Sequence, residues 1–181
     1  MNDDVDIEDL VAGLAELVLR EGLCPAFRRK AQDAAKMVDA DDIDEFKYLF
    51  HNPPPEPADF DTAVHGLGGW LSACQFAAFE LIYAIGEPAL PFLKPIAWGP
   101  YDWTQGNAIE LLIRFAAAGI QKDELINEIK ALFPDVRYEA QLYAVEPLLP
   151  RLATEEGLKA VVDRLRAECV AFNDICKEVS G

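Results

Sequence analysis

Apolar residues recur at every third or fourth position through most of the chain, the spacing that an amphipathic helix requires. In the first such segment, DIEDLVAGLAELVLREG, Leu14 and Leu17 fall on one face, acidic residues occupy the first turn and Gly22 follows the last turn. The same spacing predicts two further helices, PAFRRKAQDAAKMVDA from Pro25 and DIDEFKYLFHN from Asp42.

Four prolines in the segment NPPPEPADFD interrupt this pattern, because proline supplies no backbone N–H to a helix or a central strand. We therefore expect a stiff, extended connector over residues 53–60. It would separate an N-terminal helical region (residues 1–52) from the rest of the chain (residues 61–181).

Beyond Trp70 one helical segment follows another, and no strand-like alternation of useful length occurs. The segments WLSACQFAAFELIYAIG and NAIELLIRFAAAG are apolar on nearly all sides, which predicts buried helices. KDELINEIKALF is amphipathic, with Leu132 on its inward face. A long C-terminal helix is expected from Thr154, its N-cap, with Cys169 and Cys176 on its apolar stripe. The prediction is an all-α fold.

An internal repeat explains the remaining prolines. EPALPFL (87–93) recurs as EPLLPRL (146–152), in each case directly after a helical segment. Pro88 and Pro147 stand where a second helix would begin, a position at which the missing N–H costs nothing. A third pair, NAIELLIRFAAAG and IQKDELINEIKALF, lies between the two copies. A period of about 32–33 residues is typical of a solenoid of helix pairs.

These segments carry a resemblance to a known family. IGEPALPFL looks like the turn between the two helices of HEAT-like repeats, and PDVRYEAQLYAV resembles the start of the repeat's first helix. The resemblance implies a right-handed α-solenoid of antiparallel helix pairs over roughly residues 70–153, with extra N-terminal helices and a capping C-terminal helix. It places Asp135 and Arg137 in a ladder of stacked polar residues, where the middle copy has Trp103 and Gln105. HEAT-like arrays mostly bind proteins.

Charge limits the partners. Asp and Glu number 32 against 16 Lys and Arg, so the net charge is −16 and the isoelectric point is near 4.4. A field of this sign repels nucleic acids and anionic membranes, so neither is expected as a partner, and it attracts basic proteins. Solubility is the competing explanation. The acidic N-terminus differs from the basic start of a targeting segment, which predicts a cytoplasmic protein.

Candidate catalytic and metal-binding residues form no recognisable site. The four cysteines have no C-x-x-C spacing, so we expect buried, reduced thiols. His51 and His65 have no serine or cysteine in a nucleophile turn nearby, and both are interpreted as structural. The acidic run DADDIDE (39–45) lacks the glycine of a calcium loop. The sequence therefore predicts no enzyme, no metal and no cofactor.

The predicted binding site lies in two turns between helix pairs, WGPYDW (98–103) and FPDVRYE (133–139). Successive turns of a solenoid stack side by side, so these two should meet. Together they gather aromatic and acidic side chains: Trp98, Tyr101, Asp102, Trp103, Asp135, Tyr138 and Glu139. This is the chemistry that binds Arg and Lys of a partner. The alternatives are that the aspartates cap helices and the tryptophans pack between them, or that the partner binds a groove lined by Asp123, Asn127 and Glu128.

The functional expectation is a non-catalytic module whose acidic surface captures a basic protein. Small size and strong acidity are typical of bacterial immunity proteins, which neutralise a toxin, so a toxin domain is the expected partner. The alternative is a HEAT-like enzyme or cofactor-handling protein with a site in the concave groove.

Overall fold

The computed structural model describes residues 6–22, 25–153 and 155–181, and the regular structure in these ranges is helical throughout. This confirms the all-α prediction. The α-helices are α1 (Ile7–Glu21), α2 (Pro25–Ala34), α3 (Ile43–Leu49), α4 (Thr62–His65), α5 (Gly69–Ile85), α6 (Leu90–Trp98), α7 (Gln105–Ala117), α8 (Lys122–Leu132), α9 (Tyr138–Val145), α10 (Glu156–Glu168) and α11 (Val170–Ser180). Short 3₁₀ helices span Ala35–Met37, Ala40–Asp42, Glu87–Ala89, Phe133–Asp135 and Glu146–Arg151. No helix in the described ranges has both the length and the apolar character needed to cross a membrane.

The chain forms two compact units, Met1–Ala89 (unit 1) and Leu90–Gly181 (unit 2). In unit 1, α1 and α2 pack against α5, and α3 contacts both α1 and α5. The proline-rich segment 53–60 is held on this unit, because the indole Nε1 of Trp70 donates a 2.6 Å hydrogen bond to the buried carbonyl of Pro54. Stacking of Phe50 on Phe79, 4.6 Å between ring centroids, adds to the same core.

Unit 2 is built around α7, which contacts α6, α8, α9 and α10. Its residues from Ala108 to Ala116 are all buried, as predicted for the apolar ones, and the burial includes the charged Glu110 and Arg114. Gly106 permits the close approach of α9, since a Cβ at this position would lie 2.8 Å from the carbonyl oxygen of Ala140. The start of α7, which directly follows the predicted turn 98–103, is therefore held tightly against α9.

The predicted long C-terminal helix is wrong. Cys169 is extended (φ −132°, ψ 108°) and separates α10 from α11. The break turns Phe172 inward, where its ring meets that of Phe133 edge-on at 5.2 Å. Tertiary packing thus overrides a sequence that has neither glycine nor proline at this point. The predicted N-cap, Thr154, lies outside the described residues.

The two proline-containing copies differ in the structure. After Gly86, whose φ of 80° ends α5, the first copy forms a 3₁₀ turn and continues as α6. The second copy forms only the 3₁₀ helix Glu146–Arg151. Here Arg151, which corresponds in sequence to Phe92 of the first copy, is buried with its Nε 3.8 Å from Glu110 of α7. Leu132, predicted to face inward, is 39% exposed.

Candidate functional site

The two predicted turns lie side by side in unit 2. The segment 98–103 follows α6, and the segment 133–139 joins α8 to α9. The guanidinium carbon of Arg137 in the second turn lies 4.4 Å from the ring centroid of Tyr101 in the first. We call residues 98–103 and 133–139 together the turn surface.

A cleft of about 240 Å³ opens on the turn surface. Its walls include Trp98, Tyr101, Gln105, Leu132, Asp135 and Arg137. Gln105 is buried, and its Nε2 donates hydrogen bonds to the carbonyls of Ala97 (3.2 Å) and Gly99 (3.1 Å). Its Oε1 is also buried and accepts no hydrogen bond in the described part of the chain. The cleft is therefore lined by aromatic rings, by the acidic Asp135 and by the basic Arg137.

Trp98 is half-buried and anchored by its polar edge. Its Nε1 donates a 2.7 Å hydrogen bond to Oε1 of Glu128 on α8, and Lys94 lies 2.7 Å from Oε2 of the same carboxylate. The hydrogen bond to Glu128, and a second to Glu124, raise the pKa of Lys94. Trp98 thus packs at the joint between helices, as one of the alternatives predicts.

The two aspartates behave differently. Asp102 binds the start of the next helix, because its Oδ1 accepts a 2.6 Å hydrogen bond from the backbone N–H of Thr104 and another from the Thr104 hydroxyl. Asp135 ends a 3₁₀ helix, and α9 begins after Arg137 without a side-chain cap. The capping interpretation is therefore wrong for Asp135, whose carboxylate is exposed and makes no hydrogen bond or ion pair with the described residues.

Trp103 is 71% exposed and does not pack between the helices. It lies in the turn before α7, where its ring is tilted against that of Tyr101 at 6.3 Å. The packing interpretation is therefore wrong for Trp103. Since its indole extends to solvent beside the cleft, it is available to a partner.

Arg137 is the residue of this site that sequence reasoning missed. Besides covering Tyr101, it donates from Nε (2.8 Å) and Nη2 (3.2 Å) to the two carboxylate oxygens of Glu139. These hydrogen bonds hold the pKa of Glu139 below its ordinary value. Tyr138 donates its hydroxyl proton to Glu178 of α11, and that bond raises the pKa of Tyr138. The signal was in the sequence, because an arginine two positions before a glutamate is well placed to pair with it.

In the alternative groove, lined by Asp123, Asn127 and Glu128, the two carboxylates are paired with basic side chains of the protein. Asp123 accepts a 2.7 Å hydrogen bond from Nη1 of Arg164, and Glu128 is paired with Lys94 and Trp98 as described. The first of these bonds lowers the pKa of Asp123. Asn127 is exposed. The acidic groups of α8 are thus engaged within the protein.

The cysteines and histidines that were considered as catalytic or metal-binding residues form no cluster among the described residues. Burial raises the pKa of the Cys74 thiol to about 12 and that of Cys176 to about 11. Cys169 is buried too, whereas Cys24 lies outside the described residues. His65 stacks on Phe60 at 5.4 Å, and the described residues contain no group of three His, Cys, Asp or Glu side chains able to hold a metal ion.

The negative charge is distributed unevenly. Residues 1–89 hold 18 of the 32 acidic residues and 6 of the 16 basic ones, a net −12, which leaves −4 for residues 90–181. The turn surface therefore lies in the less charged unit. Short-range contacts, rather than a dense local field, would have to fix a partner there.

No protein family, no curated protein and no solved structure matches this chain.

Proposed function

We propose that the chain is a non-catalytic protein-binding module that captures a basic protein on the turn surface. The observation that carries the proposal is Trp103, a large aromatic side chain that is 71% exposed beside the cleft. Tryptophan is strongly enriched among the residues that dominate binding energy at interfaces. Covering its ring with a partner would remove apolar area from water, which favours association.

The surroundings of Trp103 suit a basic partner. Tyr138 is 48% exposed, and the exposed carboxylate of Asp135 lies in the same turn, whereas that of Glu139 is already paired with Arg137. Aromatic faces and carboxylates both attract guanidinium and ammonium groups. The contact between Arg137 and Tyr101 is an intramolecular example of the interaction we propose.

We propose a toxin domain as the partner, so that the protein acts as a bacterial immunity protein. Toxins that cut or deaminate nucleic acids need basic surfaces to bind phosphates. An acidic protein competes for these same cations, and a net charge of −16 speeds its encounter with them. Binding would thus block the toxin by occupying its nucleic-acid site.

We also propose that unit 2 is a short HEAT-like solenoid. A repeated contact supports the proposal: Gln105 donates to the carbonyl of Ala97 and Gln141 donates to that of Phe133 at 2.7 Å, each reaching back eight residues. Both glutamines are buried, and each joins a helix to the end of the one before it. The two glutamines are one helical turn out of register with the sequence copies, in which Gln105 corresponds to Arg137, so what recurs is the hydrogen bond between successive helices and not the repeat position.

The proposed function can be tested with the protein encoded beside this gene. We expect that protein to be basic, toxic when produced alone and harmless when it is coexpressed with this chain. Trp103→Ala should weaken the complex at least tenfold, about 1.4 kcal/mol, without lowering the melting temperature.

Tyr48→Ala provides the matched control, because Tyr48 is a 61% exposed aromatic side chain of unit 1. It should leave the affinity unchanged. Equal affinities of the Trp103→Ala and parent proteins would exclude the turn surface as the binding site. A neighbouring product that is acidic, or that does not bind, would exclude the immunity function.

A further inference from the structure

We infer that the cleft beside Trp103 binds a single arginine side chain of the partner. This inference rests on the proposed function and names the group that the site recognises. Three properties of the cleft point to arginine: its size, the chemistry of its walls and the guanidinium already held at its rim.

The size of the cleft fits one side chain. At about 240 Å³ it is smaller than the roughly 300–1,000 Å³ of sites that take drug-sized ligands and cofactors. A space of this size can take one long side chain. Buried anchors of this kind contribute most of the binding energy at protein interfaces.

The walls supply acceptors that have no donor of their own. The exposed carboxylate of Asp135 makes no hydrogen bond or ion pair with the described residues, and Oε1 of Gln105, another residue of the wall, accepts no hydrogen bond there but is buried beneath the reach of solvent. A charged donor gains most from an unpaired carboxylate, so a cation that donates several hydrogen bonds would bind Asp135 well, and one that also reached Oε1 of Gln105 would satisfy a buried acceptor. A ligand without hydrogen-bond donors would form no such bonds.

Stacking selects arginine over lysine. The ring of Tyr101 already accepts a guanidinium, that of Arg137, at 4.4 Å. A guanidinium is planar, carries five N–H donors and stacks on aromatic rings, whereas an ammonium is a compact, strongly hydrated charge. The walls of the cleft therefore match the flat cation better than the compact one.

The charge of Arg137 does not close the site to a second arginine. Both oxygens of Glu139 accept hydrogen bonds from Arg137, at 2.8 and 3.2 Å, which compensates its charge locally. Arg137 nevertheless covers one approach to Tyr101, so its removal should open the cleft. A variant that lacks Arg137 should therefore bind arginine more tightly, and a gain in binding cannot be explained by misfolding.

The test is a titration of the full chain with blocked arginine, N-acetyl-arginine amide, followed by the indole N–H resonance of Trp98 and the side-chain amide resonances of Gln105. Blocked citrulline, which has the same shape and no charge, is the matched ligand, and blocked lysine is the second control. We expect saturable shifts with arginine, at least threefold weaker binding of lysine and no saturation with citrulline.

Variants make the assignment specific. Asp135→Asn should weaken arginine binding at least threefold, and Arg137→Gln should strengthen it at least twofold. Asp163→Asn removes the same charge from an exposed site on α10 and should change nothing. Equal binding of citrulline, an unaffected Asp135→Asn variant, or shifts that appear only outside the cleft would each overturn the inference.

The outcome is independent of the test of the proposed function. If Trp103→Ala weakens the partner complex but blocked arginine does not bind, the arginine site is wrong and the binding surface stands. If arginine binds the cleft while Trp103→Ala leaves the partner complex unchanged, the arginine site stands and the proposed function is wrong.

Discussion

At the scale of single residues, the largest departure from the sequence pattern is the buried charge on α7. Glu110 and Arg114 are four positions apart and would ordinarily lie on the exposed face of an amphipathic helix. Here both are buried, with Nη1 of Arg114 3.4 Å and Nε of Arg151 3.8 Å from Oε1 of Glu110. Because other helices surround α7, its polar residues must find partners inside the protein.

Removing the negative charge of this cluster should destabilise the fold. Glu110→Gln removes the carboxylate that the buried guanidinium groups of Arg114 and Arg151 share, and although Arg151 keeps its ion pair with Glu155 at 3.5 Å, we expect the free energy of unfolding to fall by about 3 kcal/mol. Urea denaturation measures this value. Glu124→Gln, which removes a solvent-exposed carboxylate, should cost less than about 1 kcal/mol. An equal decrease in the free energy of unfolding for the two variants would show that the buried cluster stabilises the fold no more than a surface ion pair does.

The scale of helices and turns shows what the sequence could and could not predict. Periodicity located most of the helices, and Gly22 and Gly86 end α1 and α5 as expected. The repeat also predicted that the turns 98–103 and 133–139 meet, and the contact between Tyr101 and Arg137 joins them. The exposure of Trp103 did not follow from the sequence, and neither did the contact of Arg137 with Tyr101, because that contact joins two turns that are distant in the chain.

The break between α10 and α11 is another feature that local patterns could not predict. Cys169 is extended, with φ −132° and ψ 108°, and its N–H still closes the last turn of α10 onto Leu165. Val170, the first residue of α11, is 78% exposed, and its N–H makes no hydrogen bond across the break in the described structure. Position 170 therefore meets the requirements for a proline, which accepts an extended residue before it and needs no N–H.

A proline scan tests the break directly. Val170→Pro should leave the free energy of unfolding unchanged or raise it by about 0.4–1 kcal/mol, since proline restricts the unfolded chain. Arg166→Pro, inside α10, should cost about 3 kcal/mol or more. Chemical denaturation compares the two. A loss at position 170 as large as that at position 166 would indicate a continuous C-terminal helix.

At the scale of the whole molecule, most of the negative charge, which attracts a basic partner, lies in a different unit from the turn surface, which is proposed to bind it. Unit 1 carries −12 of the net −16. Within this unit, partial desolvation and the nearby carboxylates of Asp6, Asp42 and Glu8 raise the pKa of Glu45. The turn surface belongs to unit 2, which carries −4. We therefore expect unit 1 to accelerate encounter with a basic partner and the turn surface to hold it.

Kinetics can distinguish these two roles. Asp41, Glu56 and Asp59 are exposed in unit 1 and form no ion pair with the described residues. Replacing them by Asn, Gln and Asn should slow association severalfold at low salt and leave dissociation unchanged, because long-range fields act on the encounter. Stopped-flow mixing with the basic partner measures both rates.

Trp103→Ala should show the opposite behaviour, with faster dissociation and an unchanged association rate, because the indole acts only after contact. Raising the salt concentration to about 1 M shortens the screening length to about 3 Å, so the triple variant and the parent protein should then associate at the same rate. If the parent protein associates equally fast at low and high salt, its charge serves solubility, and the partner is recognised without steering.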